Sequence, residues 1–203
     1  IIEEQLTMLR SLHLEPYSFD VSSLALVRGL RQAYPVLAKE SEKAHLVVDL
    51  GANSMELSLV QNKSLRYTRS ATISGAQLVK ALQDNLNITA QEAQALIRKL
   101  DFTKPNLGME NHPREILAET VMGWFDRVSN EIKRSMDYFV TEFGISQLQS
   151  MILSGGLVQV PSLKEQLEKD LGIRVNIVNL MESSLKNSST GPTSPQMNTA
   201  FGL

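Results

Sequence analysis

Apolar and polar positions change their spacing several times along the chain, and each change predicts a different element. Between Leu46 and Leu59, a run of β-forming residues is followed by apolar positions that alternate with Glu56 and Ser58. A two-residue period of this kind is typical of half-buried β-strands. The pattern therefore predicts a β-hairpin, and residues 65–71 are predicted to add a third strand.

Helical spacing, with apolar residues three and four positions apart, predicts the helices. Ser74 with Gln77, and Thr89 with Glu92, each have the pattern of a capping box and are predicted to begin one. The longest helix is predicted from Pro113 to about residue 142. Its apolar stripe is predicted to lie in the core and contains Ile116, Leu117, Val121, Trp124, Phe125, Val128, Ile132, Met136 and Phe139.

Shorter elements are predicted at the beginning of the chain. Residues 1–12 have the spacing of an amphipathic helix, and residues 17–21 are predicted as a strand. A second helix is predicted to follow to about residue 34, with Ser22 or Ser23 as its cap.

Near the other end, a buried strand, a helix and a half-exposed strand are predicted in turn. The first strand covers residues 150–153, the helix begins at Pro161 and ends at Gly172, and the last strand covers residues 173–179. Residues 182–198 are rich in Ser, Thr, Asn, Gly and Pro, so a long loop or a disordered segment is predicted there.

Composition restricts the classes of function. The chain has 203 residues, 42% of them hydrophobic and 21% charged, which is typical of a folded domain. A net charge of -2 provides no basic surface for nucleic acid or an anionic membrane. No apolar run approaches the roughly 20 residues of a membrane span. The absence of cysteine excludes disulfides and thiolate metal sites and is compatible with a reducing cytoplasm. The three histidines share no ligand spacing.

Two strand ends carry candidate chemistry. Asp49 and Gly51 follow the first strand, where a carboxylate can hold magnesium through water and glycine lets backbone N–H groups approach a phosphate. Asp and Gly are also ordinary turn residues, and that explanation stays open for this tripeptide alone. About a hundred residues later, a strand ends in Ser154, Gly155 and Gly156 before a helix, a backbone cradle for a planar or anionic group.

With the two motifs in this order, the sequence resembles the actin-like ATPase superfamily. Asp49-Leu-Gly matches the superfamily's second phosphate motif, and Leu153-Ser-Gly-Gly matches its adenosine motif. The likeness is greatest to the PilM family of type IV pilus assembly proteins, with the FtsA family of cell-division proteins second. It also covers residues 73–75, 131–139 and 200–203, the last as the start of a final helix.

The resemblance implies an α/β fold, namely an actin-like ATPase (ribonuclease H-like) lobe with a mixed β-sheet flanked by helices. The chain, which begins without methionine, is expected to be a fragment that covers the second lobe, after a first lobe with its own phosphate-binding hairpin. Four segments are expected. They are an inter-lobe helix-strand-helix segment (1–44), the phosphate-binding hairpin with the third strand (45–74), a helical subdomain (75–149), and the adenosine-motif strand, helix, strand and truncated last helix (150–203).

The same resemblance implies ATP and Mg²⁺ as cofactors and assigns the residues that hold them. Asp49 would be the metal ligand, through water. The nucleotide-binding residues would be Gly51, Ala52 and Asn53 through main-chain N–H groups, Ser54 through its hydroxyl, Gly75 beside the phosphates or ribose, and Ser154, Gly155 and Gly156 beneath the adenosine.

Several positions depart from the family's pattern. Gln94 and Ile97 stand where the family favours a glutamate and a lysine that reach the sugar or base, with Arg98 beside them. Met55 stands where many members have threonine. These departures weaken the prediction of tight nucleotide binding.

Catalytic groups are sparse in the sequence. No general base with a helper, Ser/His/Asp set or metal cluster is apparent, so at most a weak ATPase is expected. Glu131, Lys133 and Arg134 fall on the polar face of the long helix and are predicted to be solvated. The resemblance makes Arg134 the best candidate among them to line the cleft.

The family resemblance also implies partners and a location. They are the cytoplasmic tail of a PilN-type inner-membrane protein and the pilus motor ATPases, met in the cytoplasm at the periphery of the inner membrane, with no nucleic acid and no direct membrane span. Three alternatives stay open. They are an actin-superfamily kinase or ATPase, an FtsA-like cell-division protein, and a type II secretion cytoplasmic scaffold with a degraded nucleotide site.

Overall fold

The computed structural model describes residues 2–104, 107, 114–145 and 148–178. The predicted helix start at Pro113, the loop at 182–198 and the helix at 200–203 lie outside these residues. In chain order the elements are α1 (Ile2–Ser11), α2 (Ser22–Ala33), a 3-10 helix (Pro35–Ala38), β1 (Ala44–Leu50), β2 (Met55–Gln61), β3 (Ser64–Ala71), α3 (Gly75–Leu86), α4 (Ala90–Ile97), α5 (Arg114–Phe143), β4 (Leu148–Ser154), a 3-10 helix (Gly156–Gln159), α6 (Leu163–Leu171) and β5 (Val175–Ile177).

The five strands form one mixed sheet in the order β3-β2-β1-β4-β5. Short turns connect β1, β2 and β3, so these strands are antiparallel to one another. The long connection through α3, α4 and α5 allows β4 to lie parallel to β1, and β5 lies parallel to β4. The predicted α/β class, a mixed sheet flanked by helices, is confirmed.

Helices cover both faces of this sheet because alternate strand residues point to opposite sides. On one face, Leu46, Val48 and Leu50 of β1 belong to the large core that includes α3, α5 and α6 residues. On the other face, Val47 packs in a smaller core with residues of α2 such as Leu30. The central strands β1 and β4 are therefore covered on both sides, and their carboxyl ends have fixed positions.

The N-terminal segment differs from its prediction. Helix α1 has no buried residue. Residues 17–21 pair with no other strand in the described part of the chain, and Tyr17 is fully exposed, so the predicted strand is absent. The N-cap of α2 is Val21 rather than Ser22 or Ser23, and Ser22 instead donates its hydroxyl to Glu56. The inter-lobe placement of this segment stays a prediction.

Two predictions about the burial of residues in α5 are wrong. Ile116, predicted in the core, is 43% exposed because its neighbour Leu117, which is 1% exposed, takes the buried position of that turn. Glu131, predicted to be solvated, is buried because Arg69 of the edge strand β3 forms an ion pair with it. Arg134 also lies near Glu131, with its Nη1 3.5 Å from Glu131 Oε2. None of the helices in the described residues has both the length and the apolarity to cross a bilayer.

Candidate functional site

The two sequence motifs meet because they follow adjacent parallel strands. Asp49, near the end of β1, stands beside Ser154, the last residue of β4. The turns after both strands therefore leave the sheet at the same edge. This is the edge at which open α/β sheets commonly bind ligands.

Gly155 brings the two turns into direct contact. Its backbone has φ 98° and ψ 176°, a conformation that is essentially restricted to glycine. A Cβ placed there would lie 2.4 Å from the carbonyl oxygen of Leu50 and 2.8 Å from its nitrogen. Because these are backbone atoms, no side-chain rotation could relieve the clash, and the close approach of the strands requires glycine.

A cavity of about 720 Å³ opens at this edge of the sheet. Six of the nine predicted site residues line it: Asp49, Gly51, Ala52, Gly75, Gly155 and Gly156. The other three, Asn53, Ser54 and Ser154, are not among its lining residues. Asn53 is exposed, Ser54 is half-buried, and Ser154 is fully buried.

Ser154 nevertheless contributes to the site through Asp49. The Ser154 side chain is hydrogen-bonded to the Asp49 carboxylate. Burial raises the pKa of Asp49, the hydrogen bond from Ser154 opposes this change, and the negative charge of Glu56 raises the pKa further. Asp49 is thus a half-buried carboxylate at the cavity wall, and no Lys, Arg or His among the described residues forms an ion pair with it.

The N-terminus of α3 is tied to the turn after β1. Gly75 N donates to Gly51 O at 3.1 Å, and Ala76 N donates to Ala52 O at 2.8 Å. Within the turn, Gly51 N donates to Ser54 O at 3.0 Å. The N–H group of Gly51, expected to face a phosphate, is therefore already used. The N–H groups of Ala52 and Asn53 are the remaining candidates in this turn.

A hydrogen bond from α5 positions the start of α3. Ser74, the N-cap, accepts a hydrogen bond from Gln77 N at 3.4 Å with its hydroxyl. Its carbonyl oxygen accepts one from the buried Trp124 Nε1 at 3.1 Å. Trp124 thus connects the core of the domain to the helix start that supports the phosphate-type turn.

The remaining cavity residues come from two helices and the turn after β4. Gln94, Ile97 and Arg98, singled out in the sequence as departures from the family's pattern, do line the cavity. Sequence reasoning missed Ala76, Val79, Gln83, Leu157, Gln159 and Val160. Val79 and Gln83 lie four and eight positions after Gly75, so the helical period was the signal that could have found them.

Near the cavity, a hydrogen bond connects the segment that follows α4 with the start of α6. Ser162, just after the lining residue Val160, donates its hydroxyl to Asp101 Oδ1 at 2.6 Å. Hydrogen bonds from Ser162 and Thr103 hold the pKa of Asp101 well below its ordinary value. Asp101 therefore remains ionised and keeps the two segments together at neutral pH.

The cavity has few charged groups. Among the described residues that line it, Asp49 is the one carboxylate and Arg98 the one cation. Arg134, a sequence candidate for the cleft, is not part of this lining. In the described part of the chain, no group of three or more His, Cys, Asp or Glu side chains could hold a metal ion. Asp49 is therefore the one carboxylate among the described lining residues that could serve a metal ion.

Comparison with known proteins gives a family match over the whole chain. The family model described as "Type IV pilus assembly protein PilM" matches residues 1–203. Among solved structures, the chain is similar to the "PilM-PilN type IV pilus biogenesis complex" with a TM-score of 0.76 and 23% identity, covering 100% of this chain and 56% of that one.

Two further structures show the same fold. They are MreB 5 of Spiroplasma citri bound to AMPPNP (TM-score 0.65, 11% identity, 99% of this chain and 62% of that one) and Ta0583, an archaeal actin homolog (TM-score 0.60, 12% identity, 90% and 53%). At these identities the likeness shows a shared actin-like fold. The chain spans between 53% and 62% of the lengths of these three structures.

Proposed function

The chain belongs to the PilM family of type IV pilus assembly proteins, and from this premise we propose that its cavity binds ATP with Mg²⁺. One observation carries the proposal: the turns after β1 and β4, predicted separately as phosphate and adenosine motifs, line a single cavity. Its volume of about 720 Å³ lies within the range of about 300–1,000 Å³ that is usual for small-molecule sites.

The residues present fit this ligand chemically. Gly51, Gly75, Gly155 and Gly156 line the cavity, so a nucleotide can approach their backbone without meeting a side chain. Asp49 offers the hard carboxylate oxygen that Mg²⁺ prefers, and it would hold the ion through water. When bound, Mg²⁺ neutralises part of the charge on the phosphates. Ala52 and Asn53 would donate main-chain N–H groups to phosphate oxygens.

Slow hydrolysis, or none, is part of the proposal. Asp49 is the one carboxylate among the described lining residues and is assigned to the metal, which leaves no second acid there as a general base. The protein would then respond to the presence of a nucleotide rather than turn it over rapidly. We therefore favour a scaffold over a kinase-like enzyme.

The assembly role follows from the family. The protein would act on the cytoplasmic side of the inner membrane, as part of the type IV pilus assembly platform. It would bind the cytoplasmic tail of a PilN-type membrane protein and would contact the pilus motor ATPases. The similar solved structure named a PilM-PilN complex supports a partner of the PilN type.

Isothermal titration of Mg-ATP into the full-length protein tests the site. Asp49→Asn keeps the shape of the side chain but removes the charge, and should weaken binding by about 10- to 100-fold, as expected for a group that orients a metal's ligands. Asp84→Asn is the matched control, because Asp84 is an exposed carboxylate of α3 paired with Lys80 at 2.6 Å. It should change the affinity by less than about twofold. Equal affinity in wild type and Asp49→Asn would refute the site.

A scaffold without nucleotide is the second candidate. It is favoured by Gln94 and Ile97, which line the cavity where the family's pattern predicts a glutamate and a lysine. A pull-down with the tail of a PilN-type protein separates the two candidates. Capture that Mg-ATP changes supports the nucleotide-responsive scaffold, whereas capture that is independent of Mg-ATP, from a protein that binds no nucleotide, supports the second candidate.

A further inference from the structure

A second carboxylate stands next to Asp49, outside the lining of the cavity. Glu56 of β2 lies directly opposite Asp49 of β1 in the antiparallel register. Residues opposite each other on neighbouring strands point to the same face, with Cβ atoms about 5 Å apart. The two acids therefore lie side by side at the end of the sheet where the phosphate-type turn begins.

The position of Glu56 is fixed by α2. Ser22, the first residue of that helix, donates its hydroxyl to Glu56, with distances of 2.9 Å to Oε1 and 3.1 Å to Oε2. Glu56 is half-buried, so its carboxylate does not simply extend into solvent away from Asp49. The side chain is held on the face that it shares with Asp49.

Like charges placed directly opposite each other on a sheet are unfavourable. In the ranges that the structure describes, no Lys, Arg or His forms an ion pair with Asp49 or Glu56. Two uncompensated negative charges at one end of a cavity attract a divalent cation and repel a triphosphate that carries none. The pair thus provides a physical basis for distinguishing these two forms of a nucleotide.

We propose that Glu56 is a specificity-determining residue that makes the site select magnesium-bound over metal-free nucleotide, by its charge beside Asp49 and without contacting the ligand. The proposal rests on the proposed function, since it requires a nucleotide in the cavity. It assigns to Glu56 a role that differs from that of Asp49: Asp49 holds the ion, and Glu56 sets the local potential.

The test is the ratio of two affinities in the full-length protein, measured by titration calorimetry. ATP is titrated in excess Mg²⁺ and again in EDTA, and the ratio of the dissociation constants, metal-free over magnesium-bound, reports the selectivity. Glu56→Gln keeps the size of the side chain and its acceptor for Ser22. It should lower the ratio by about fourfold or more, the effect that one unit charge within roughly 5 Å of the ion has even at the dielectric constant of bulk water.

Two further variants show whether the effect comes from the charge of residue 56. One tests the packing of the side chain, and the other tests the net charge of the protein. Glu56→Asp keeps the carboxylate and should keep the ratio within about twofold of wild type. Glu119→Gln removes the same charge from an exposed position on α5, beside Asp84 at the far end of α3, and should also leave the ratio unchanged. Thermal unfolding of each variant verifies that it is folded.

The outcomes distinguish this inference from the proposed function. A wild-type protein that binds ATP neither with nor without Mg²⁺ overturns both. A wild-type protein that prefers Mg-ATP, together with a Glu56→Gln variant of unchanged ratio, overturns the inference and leaves the proposed function standing. A Glu56→Asp variant that loses selectivity as fully as Glu56→Gln also overturns it, because packing rather than charge would then be responsible.

Discussion

Replacement of Gly155 by alanine tests whether the contact between the two turns is as rigid as the structure implies. The added Cβ would lie 2.4 Å from Leu50 O and 2.6 Å from Leu50 C, far inside normal contact. The residue would also have to keep φ 98° and ψ 176°. The alanine would be strained in this backbone conformation, and its clash with Leu50 would also push the strand ends apart, so both effects reduce stability.

The expected loss in the free energy of unfolding is the sum of the backbone strain and the hydrogen bonds that break. A non-glycine residue in this backbone region costs about 1–3 kcal/mol. Separation of the strand ends would break hydrogen bonds at the last register pairs, Val48 with Leu153 and Asp49 with Ser154, at about 1 kcal/mol each. We expect Gly155→Ala to lower the free energy of unfolding by about 3–5 kcal/mol. For a domain of this size the melting temperature would fall on the order of 10 °C.

Two other glycines provide matched controls. Gly172, after α6, has φ 64° but no atom near the position of a Cβ, so Gly172→Ala isolates the backbone strain and should cost about 1–2 kcal/mol. Gly123 in α5 has neither a positive φ nor a neighbour within 4 Å, and Gly123→Ala should stabilise by about 0.5–1 kcal/mol.

The stabilities of the three variants are compared by thermal and urea unfolding, with circular dichroism as the probe. We expect Gly155→Ala to be the least stable of the three by a clear margin and to lose the proposed binding of Mg-ATP. If Gly155→Ala were no less stable than Gly172→Ala, the backbone of the turns would be able to move apart freely, and the structural basis for the cavity would be wrong.

Two more predictions concern stability. Trp124→Phe keeps an aromatic ring but removes the donor to Ser74 O. It should lower the free energy of unfolding in urea by about 1–2 kcal/mol and weaken the proposed binding of Mg-ATP. If neither value changed, Trp124 would have no link to the site. Buried His45 is bonded to Ser150, and burial, then Lys43, lowers its pKa below 6.5. Because the folded state favours the neutral ring, the stability contributed by His45 is present above pH about 6.5 and is lost as pH falls. Urea midpoints at pH about 7.5 and about 5.5 should therefore differ more for wild type than for His45→Gln.

Local signals in the sequence predicted most elements of the fold. Thr89 and Glu92 form both halves of the predicted capping box, and α4 begins directly after Thr89. Ser74 forms its half of the other box, whereas Gln77 Oε1 has no hydrogen-bond partner, so the return bond is missing. The alternation near Glu56 correctly predicted the hairpin, because a two-residue period depends only on which face of the strand is buried.

Contacts between distant segments could not be read from local spacing. Glu131 stands among charged residues on α5, and nothing near it in the sequence indicates that Arg69 of an edge strand covers it. The expected strand at residues 17–21 fails for the same reason, since a strand needs a neighbour and periodicity does not supply one. In the candidate site, the glycine motifs were apparent from composition, but the use of the Gly51 N–H within its own turn depends on the folded geometry.

The two hydrogen bonds between the start of α3 and the carbonyls of Gly51 and Ala52 have a mechanical consequence. Helix α3 cannot slide or rotate about its axis without breaking them. Its 12 residues make a stiff rod about 18 Å long, and at the other end Asn85 donates to Thr120 of α5 at 2.8 Å. A displacement of the turn would therefore move this helix as a unit and would reach the contact between Asn85 and Thr120, about 18 Å away.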